Sequence, residues 1–202
     1  MRKINNLALI AALGGVLFVT SCKKDEVAPE EENVVEIFTD VKLVFTNTAD
    51  ASDKVEARAQ DPDGTGVEEL TILDDITLDT SKTYTLTYEI FNNLNTPGEN
   101  IGAEILEEDN EHQFFFTFSN NAFANPVGNG NIDNAADPIN YNDTDENNHP
   151  VGLSTQWTTP STQLTGGTFT VRLQHQPDVK TGTSGSSDGD TDFDLTFVLN
   201  IQ

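Results

Sequence analysis

Apolar and polar residues alternate with a period of two in five stretches of the chain, a pattern typical of β-strands with one buried and one wet face. The residues predicted to face inward are Val41, Leu43, Phe45; Tyr84, Leu86, Tyr88, Ile90; His112, Phe114, Phe116, Phe118; Phe169, Val171, Leu173; and Phe193, Leu195, Phe197, Leu199, Ile201. Gly, Asn and Pro clusters lie between the stretches and indicate turns. The pattern predicts an all-β fold of about seven to nine antiparallel strands in a two-layer β-sandwich, immunoglobulin-like or jelly-roll-like.

One stretch has helical rather than strand periodicity. In Ile101–Glu111, the side chains of Ile101, Ile105 and Leu106 can share one face, while the acidic remainder faces solvent. The sequence therefore predicts one short helix that connects strands.

The N-terminal residues have the organisation of a secretory signal. Arg2 and Lys3 precede an apolar run from Leu7 to Val19, which is followed by small residues and Cys22. The thirteen residues of that run are too few to span the ~30 Å hydrocarbon core of a bilayer as a helix. The tetrapeptide VTSC at residues 19–22 resembles the bacterial lipobox, which implies that residues 1–21 are a lipoprotein signal peptide and that Cys22 is lipidated.

A charged segment follows Cys22. Residues 22–33 contain seven charged side chains and little that could be buried, so we expect a flexible tether ahead of one sandwich domain at 34–202. The start of the tether, CKKDE, resembles the surface-export signal of lipoproteins in the Bacteroidetes phylum. The alternative is a solvated tether without a sorting role.

Composition narrows the classes of partner. The chain has 34 acidic and 10 Lys or Arg residues, a net charge of −24, which opposes binding to nucleic acid or to anionic lipid headgroups. Its single cysteine rules out an intramolecular disulfide and a multi-cysteine zinc site. The membrane contact that the sequence predicts is therefore the N-terminal lipid anchor.

Two acidic turns have the alternating oxygen ligands of calcium loops. The first contains Asp61 and Asp63 and has a glycine at its sixth position, but Ile72 stands at position twelve, where a calcium loop of that kind has a bidentate Glu. Asp-Pro-Asp-Gly is also a good turn sequence, so a simple turn and a calcium loop both stay open. The Gly- and Ser-rich stretch from Thr181 to Asp190 is interpreted as a flexible connection between the last two strands.

The second acidic turn closes the long stretch from Ser119 to Pro150. A loop of this length is usually functional or disordered. Asp143, Asp145 and Asn147 have the spacing at which their oxygens can point the same way, although the glutamate at position twelve is again missing. A polar hairpin tip and a calcium-binding loop are the two interpretations.

Two of the three histidines lie at strand ends. His112 begins the stretch HQFFFTF and His175 ends TFTVRLQH, so antiparallel pairing would bring them to the same rim of the sandwich. Neutral imidazoles at that rim could bind zinc, copper or a haem iron, with His149 as a third ligand. The alternative is that each histidine satisfies a hydrogen bond at the rim.

The chain lacks G-x-S-x-G, H-E-x-x-H and a Walker glycine loop. We therefore expect a protein that is not an enzyme. A hydrolase that uses two carboxylates from distant strands is the alternative, because sequence spacing does not reveal such a pair.

A resemblance adds location to this picture. The lipobox with CKKDE, the DPDG turn, EHQFFFTF, YNDTDENNHPVGL, QWTTP, VRLQHQPDVK and DTDFDLTFVLNIQ resemble a group of small flavobacterial lipoproteins. The resemblance implies a cell-envelope lipoprotein with a β-sandwich body and adds no activity. From the CKKDE start, the tether and the period-two body we expect a lipid-anchored protein of the outer-membrane surface, which acts as a binding or accessory module for an unknown ligand or for other outer-membrane proteins or transporters. Unlike surface glycan-binding lipoproteins, the chain has few aromatic residues to expose, with one Trp and three Tyr.

Overall fold

Nine strands and one short helix make up the described part of the chain. The computed structural model describes residues 36–65 and 69–202, so the predicted signal peptide, Cys22 and the tether lie outside the described residues. The elements are β1 (Asp40–Asn47), β2 (Lys54–Gln60), β3 (Thr71–Ile72), β4 (Ile76–Leu78), β5 (Thr83–Phe91), α1 (Ile101–Glu107), β6 (His112–Phe118), β7 (Thr155–Thr158), β8 (Leu164–His175) and β9 (Asp190–Ile201).

The strands form two sheets that pack as a β-sandwich, as predicted. One sheet has the order β3-β2-β1-β5-β7 and the other has the order β4-β9-β8-β6. All the strand pairs are antiparallel except one: β4 runs parallel to β9, with Ile76 opposite Leu199. The prediction of a purely antiparallel sandwich is wrong at this edge, where β4 is only three residues long.

The core contains the side chains that the alternation predicts. Leu43, Phe114, Phe116 and Phe197 are fully buried, and Tyr84 is 1% exposed. Trp157 is also fully buried and packs edge-on against Phe116 and Phe169. The single tryptophan is therefore a core residue and not a surface platform for a ligand.

The long stretch after β6 covers the free edge of that strand. The Phe118 N–H donates to the Asn129 carbonyl, and the Phe114 N–H donates to the Val151 carbonyl. An uncovered edge strand would expose unpaired backbone groups to other chains. Phe115, which the alternation places on the wet face, is fully buried as well.

The helix is shorter than predicted. It ends at Glu107, and residues 108–111 form turns instead of continuing to Glu111. Asp109 and Asn110 favour such turns because their side chains compete for backbone hydrogen bonds. Ile101 and Ile105 are buried, but Leu106 is 60% exposed, so it does not share their face. Among the described residues, no helix has the length and apolar character needed to cross a bilayer.

Candidate metal centre

The first and last residues of two paired strands bring two histidines together. His112 on β6 lies directly opposite His175 on β8. Their rings stack with centroids 4.6 Å apart and planes 6° apart. The predicted meeting of the two histidines at one rim is thus confirmed. His149 does not join them: its Nδ1 lies 3.6 Å from Asp145 Oδ2, in a different part of the fold.

A β-bulge adds Asp192 to this rim. Leu173 on β8 pairs with Phe193, but the next residue, Gln174, pairs with Thr191, so Asp192 is left without an opposite partner. A bulge of this kind redirects the side chain of the extra residue. The alternation predicts Asp192 on the wet face, yet its side chain is only 14% exposed. That prediction is wrong because a period of two does not hold across a bulge.

Glu36 reaches the same point from the other sheet. It lies four residues before β1, and its side chain is 12% exposed. Phe38, two residues after Glu36, packs edge-on against Phe193, which directly follows Asp192, and the ring centroids are 5.3 Å apart. This contact brings the carboxylates of Glu36 and Asp192 close together. Sequence reasoning missed Glu36, although one signal was present: a single acid interrupts the apolar run Val34-Val35-Glu36-Ile37-Phe38.

Glu36, His112 and Asp192 form what we call the inner group. His112 Nε2 lies 3.8 Å from Glu36 Oε2 and 3.9 Å from Asp192 Oδ2. All three atoms are buried and none of them has a hydrogen-bond partner. Buried polar atoms normally have partners, so three unpartnered atoms at one point make the inner group a candidate binding site. Ligand atoms around a tetrahedral zinc ion lie about 3.4 Å apart, close to these distances.

The backbone fixes which nitrogen of His112 faces the carboxylates. Nδ1 lies 3.1 Å from the Glu108 carbonyl oxygen, at the end of α1. A carbonyl oxygen only accepts, so Nδ1 carries the proton of the neutral ring and Nε2 keeps its lone pair. Metal-binding histidines commonly donate their second ring N–H to such an acceptor, which orients the ring.

Burial disfavours charge on all three members of the inner group. Desolvation raises the pKa of Glu36 to about 8, with help from the nearby carboxylates of Asp192, Glu108 and Glu104. Desolvation also raises the pKa of Asp192 to about 6. The pKa of His112 falls to about 4 because burial outweighs the opposing hydrogen bond to the Glu108 carbonyl, and the nearby His175 and Lys180 lower it further. A bound cation would relieve the cost of two buried carboxylates.

A cavity lies beside two members of the inner group, Glu36 and Asp192. Its volume is about 340 Å³, and Glu36, Asp192, Asp61 and Glu69 contribute to an acidic lining. Asp194, which also lines it, is paired with Arg172. The acidic side chains of this lining would attract a cation toward the inner group.

A second group of possible ligands includes both stacked histidines. A carboxylate oxygen of Glu108 and ring nitrogens of His112 and His175 lie within 4.8 Å of one another. His175 Nε2 also lies 3.5 Å from Glu111 Oε2. This group is more open than the inner one, since Glu108 is exposed and the side chain of Glu111 is 37% exposed.

The residues of the predicted calcium loop near Pro150 have other partners. Asp143 accepts hydrogen bonds from the backbone N–H groups of Gly152 (3.0 Å) and Ser154 (3.2 Å). Asp145 accepts from the Asn147 and His149 N–H groups. The Asp145 Oδ2 atom lies 3.1 Å from Lys180 Nζ, an ion-pair distance, with both side chains almost fully buried. These carboxylates hold the loop in place, and the lysine would repel a calcium ion.

The first acidic turn is a tight turn. Asp61 is buried, and its Oδ1 accepts from the backbone N–H groups of Asp63 (3.1 Å) and Gly64 (3.0 Å). Gly64 has a φ of +63°, which favours glycine. The turn interpretation is confirmed. Within residues 36–65 and 69–202, neither group of residues able to hold a metal ion includes Asp61, Asp63, Asp143, Asp145 or His149.

Comparison with protein-family models, curated proteins and solved structures finds no match for this chain.

Proposed function

We propose that this chain is a non-enzymatic, lipid-anchored protein of the outer-membrane surface that binds a divalent transition-metal cation through Glu36, His112 and Asp192. The observation that carries the metal-binding proposal is the set of three buried, unpartnered ligand atoms in the inner group. The anchor at Cys22 and the surface location are proposed from the sequence motifs. A role beside transporters or other outer-membrane proteins belongs to the same proposal.

The donor set selects the class of cation. Calcium and magnesium take oxygen ligands, whereas imidazole together with carboxylates suits zinc and other transition metals. Two carboxylates would neutralise a dication, which weakens its power to acidify a bound water. This charge balance favours binding over hydrolytic chemistry.

The geometry favours a small cation over haem. The rings of His112 and His175 stack face to face with an angle of 6° between their planes. Two axial histidines must present nitrogens from opposite sides of the haem iron, an arrangement that stacked neighbours on adjacent strands do not have.

Zinc binding by the purified, metal-free full chain tests the metal proposal. We expect His112→Ala to weaken the tight binding of Zn²⁺ by at least about a hundredfold, because it removes the only nitrogen ligand of the inner group. Competition with a chromophoric chelator measures the affinity. His149→Ala is the matched control and should bind as tightly as wild type. Equal affinities for His112→Ala and wild type would overturn the proposal.

Unfolding of the same protein with each metal ion tests which cation is bound. Zn²⁺ at a hundredfold excess over Kd should raise the free energy of unfolding by about 2.7 kcal/mol. Ca²⁺ at millimolar concentration should leave the melting temperature unchanged. Stabilisation by Ca²⁺ instead of Zn²⁺ would favour the acidic turns as the binding site.

The lipid anchor is tested by mass spectrometry of the protein from its native membrane. We expect the mature chain to begin at Cys22 and to carry acyl chains, since several chains together give stable anchoring. Cys22→Ser should release the protein from the membrane fraction. An unmodified thiol at Cys22 would contradict this part of the proposal, and protection of the protein from added protease on intact cells would contradict surface exposure.

A further inference from the structure

The buried pair of Lys180 and Asp145 holds an amine beside a carboxylate, out of contact with solvent. The side chain of Lys180 is 1% exposed and that of Asp145 is fully buried, and Nζ lies 3.1 Å from Oδ2. Among residues 36–65 and 69–202, however, Oδ2 has no hydrogen-bond partner, so its contact with Nζ does not have the geometry of a hydrogen bond. Two reactive groups that the fold fixes side by side need no diffusive encounter to form a bond.

We propose that Lys180 and Asp145 become joined in the folded chain by an isopeptide bond between Nζ and Cγ, with release of one water molecule. The ammonium group first passes a proton to Oδ2, and the neutral amine then attacks Cγ. The Cγ–Oδ2 bond breaks, and Oδ2 leaves as water with that proton and a second proton from Nζ. Nζ keeps one hydrogen in the amide, so atoms and charge balance without an added reactant.

Backbone donors already surround the other carboxylate oxygen. Asp145 Oδ1 accepts hydrogen bonds from the N–H groups of Asn147 at 2.9 Å and His149 at 2.8 Å. Attack on Cγ places negative charge on the oxygen that stays, and fixed N–H donors at that oxygen stabilise such charge. Because Oδ1 is held in this way, Oδ2 is the oxygen that leaves.

Two further contacts prepare the amine and the leaving oxygen. Lys180 Nζ donates to the Asp109 carbonyl at 2.5 Å, which fixes the position of the amine. Burial lowers the pKa of Lys180 below its usual value, although Asp145 and other nearby carboxylates oppose the shift, and this favours the neutral amine. His149 Nδ1 lies 3.6 Å from Asp145 Oδ2, so a small movement lets the imidazole relay the second proton to the leaving oxygen.

The product suits this environment better than the reactants do. A buried ion pair carries the desolvation cost of two charges, whereas an amide is neutral. The bond would tie the stretch that covers the edge of β6 to the segment that follows β8. It lies outside the inner group, so it needs no metal ion and goes beyond the proposed function.

Mass spectrometry of the folded full chain, incubated at neutral pH with chelator, tests the bond. We expect the chain to lose the mass of one water molecule with time, and a digest to contain the peptides of Asp145 and Lys180 joined to each other. Lys180→Arg keeps the positive charge but has no amine to attack Cγ, so the joined peptides should be absent. Lys42→Arg makes the same change at a lysine that pairs with Glu89, and it should form the joined peptides as wild type does.

The rate of bond formation tests the role of His149. His149→Gln removes neither bonded residue and keeps the backbone N–H at Oδ1, so we expect the same product to form about a hundredfold more slowly. Wild type held unfolded in urea should keep its full mass at this pair, because the two groups meet only in the folded chain. An equal rate in His149→Gln would overturn the proton relay.

Two results would overturn the bond itself. One is the absence of the joined peptides from wild type after prolonged incubation of the folded protein. The other is a loss of water that the digest places at an Asp-Gly pair such as Asp188-Gly189 instead, since aspartate can also lose water to its own backbone there.

Discussion

Without metal ions at pH 9, we expect Glu36→Gln to unfold less readily than wild type, by on the order of 5 kcal/mol, because the pKa of Glu36 rises from 4.5 to about 8 on folding and each unit of pKa shift corresponds to about 1.4 kcal/mol. Burial raises the pKa of Glu36 to about 8. The proton is thus held more tightly in the folded state than in the unfolded state. The stability of wild type should therefore fall as the pH rises from about 5 to about 8, and then level off.

Urea unfolding at pH 5 and pH 9, with chelator present, measures this effect. The glutamine cannot ionise, so the variant should lose much less stability over that range. Glu107→Gln makes the same chemical change at an exposed position of α1 and should retain the wild-type pH dependence. An equal loss of unfolding free energy between pH 5 and pH 9 in wild type and in Glu36→Gln would contradict the prediction.

Zinc should reverse the order of stability, so that wild type becomes more stable than Glu36→Gln. Wild type gains the free energy of binding, and Glu36→Gln loses a ligand and gains less. Glu36 should therefore destabilise the metal-free protein and stabilise the metal-bound protein. This behaviour is expected of a metal ligand, because an unpaired buried charge lowers the stability of the fold when no metal is bound.

The second large effect is expected at Lys180. Lys180→Ala should lower the free energy of unfolding by about 3 kcal/mol, since it leaves a buried carboxylate without its cation. Lys180 Nζ lies 3.1 Å from Asp145 Oδ2 and also donates to the Asp109 carbonyl at 2.5 Å. Burial opposes the charge of Asp145, but the His149 N–H and Lys180 outweigh it and hold its pKa below the usual value.

Urea unfolding at pH 7 compares this variant with two others. Lys42→Ala removes a lysine whose side chain is 25% exposed and which pairs with Glu89, so it should cost less than about 1 kcal/mol. Replacing both members of the buried pair, with Asp145→Asn and Lys180→Met, should recover most of the loss. A loss for Lys180→Ala no larger than that for Lys42→Ala would show that the pair does not hold the loop.

The core and the histidine pair could be predicted from the sequence because both depend on local alternation. His112, Phe114 and Phe116 occupy alternate positions of β6, so a pattern that predicts buried phenylalanines also predicts an inward-facing histidine. Antiparallel pairing then places the start of one strand beside the end of the next, which is enough to bring His112 to His175.

Side-chain alternation does not predict the two carboxylates of the inner group. Asp192 has the parity of a wet-face residue, and only the bulge opposite Gln174 turns it inward. Nothing in a single sequence marks where a bulge will form. Glu36 belongs to the lead-in to the other sheet, and its distance from His112 depends on how the two sheets pack.

The all-β class, the members of the core and the meeting of two histidines follow from the amino-acid sequence alone, because side-chain alternation and strand pairing act over neighbouring residues. Three-dimensional packing was needed to reveal which carboxylates join His112, that the acidic loop is held by Lys180, and that residues after Glu107 turn away from the helix. Those outcomes depend on sheet packing, a register shift and contacts between residues far apart in the chain, none of which a local pattern records.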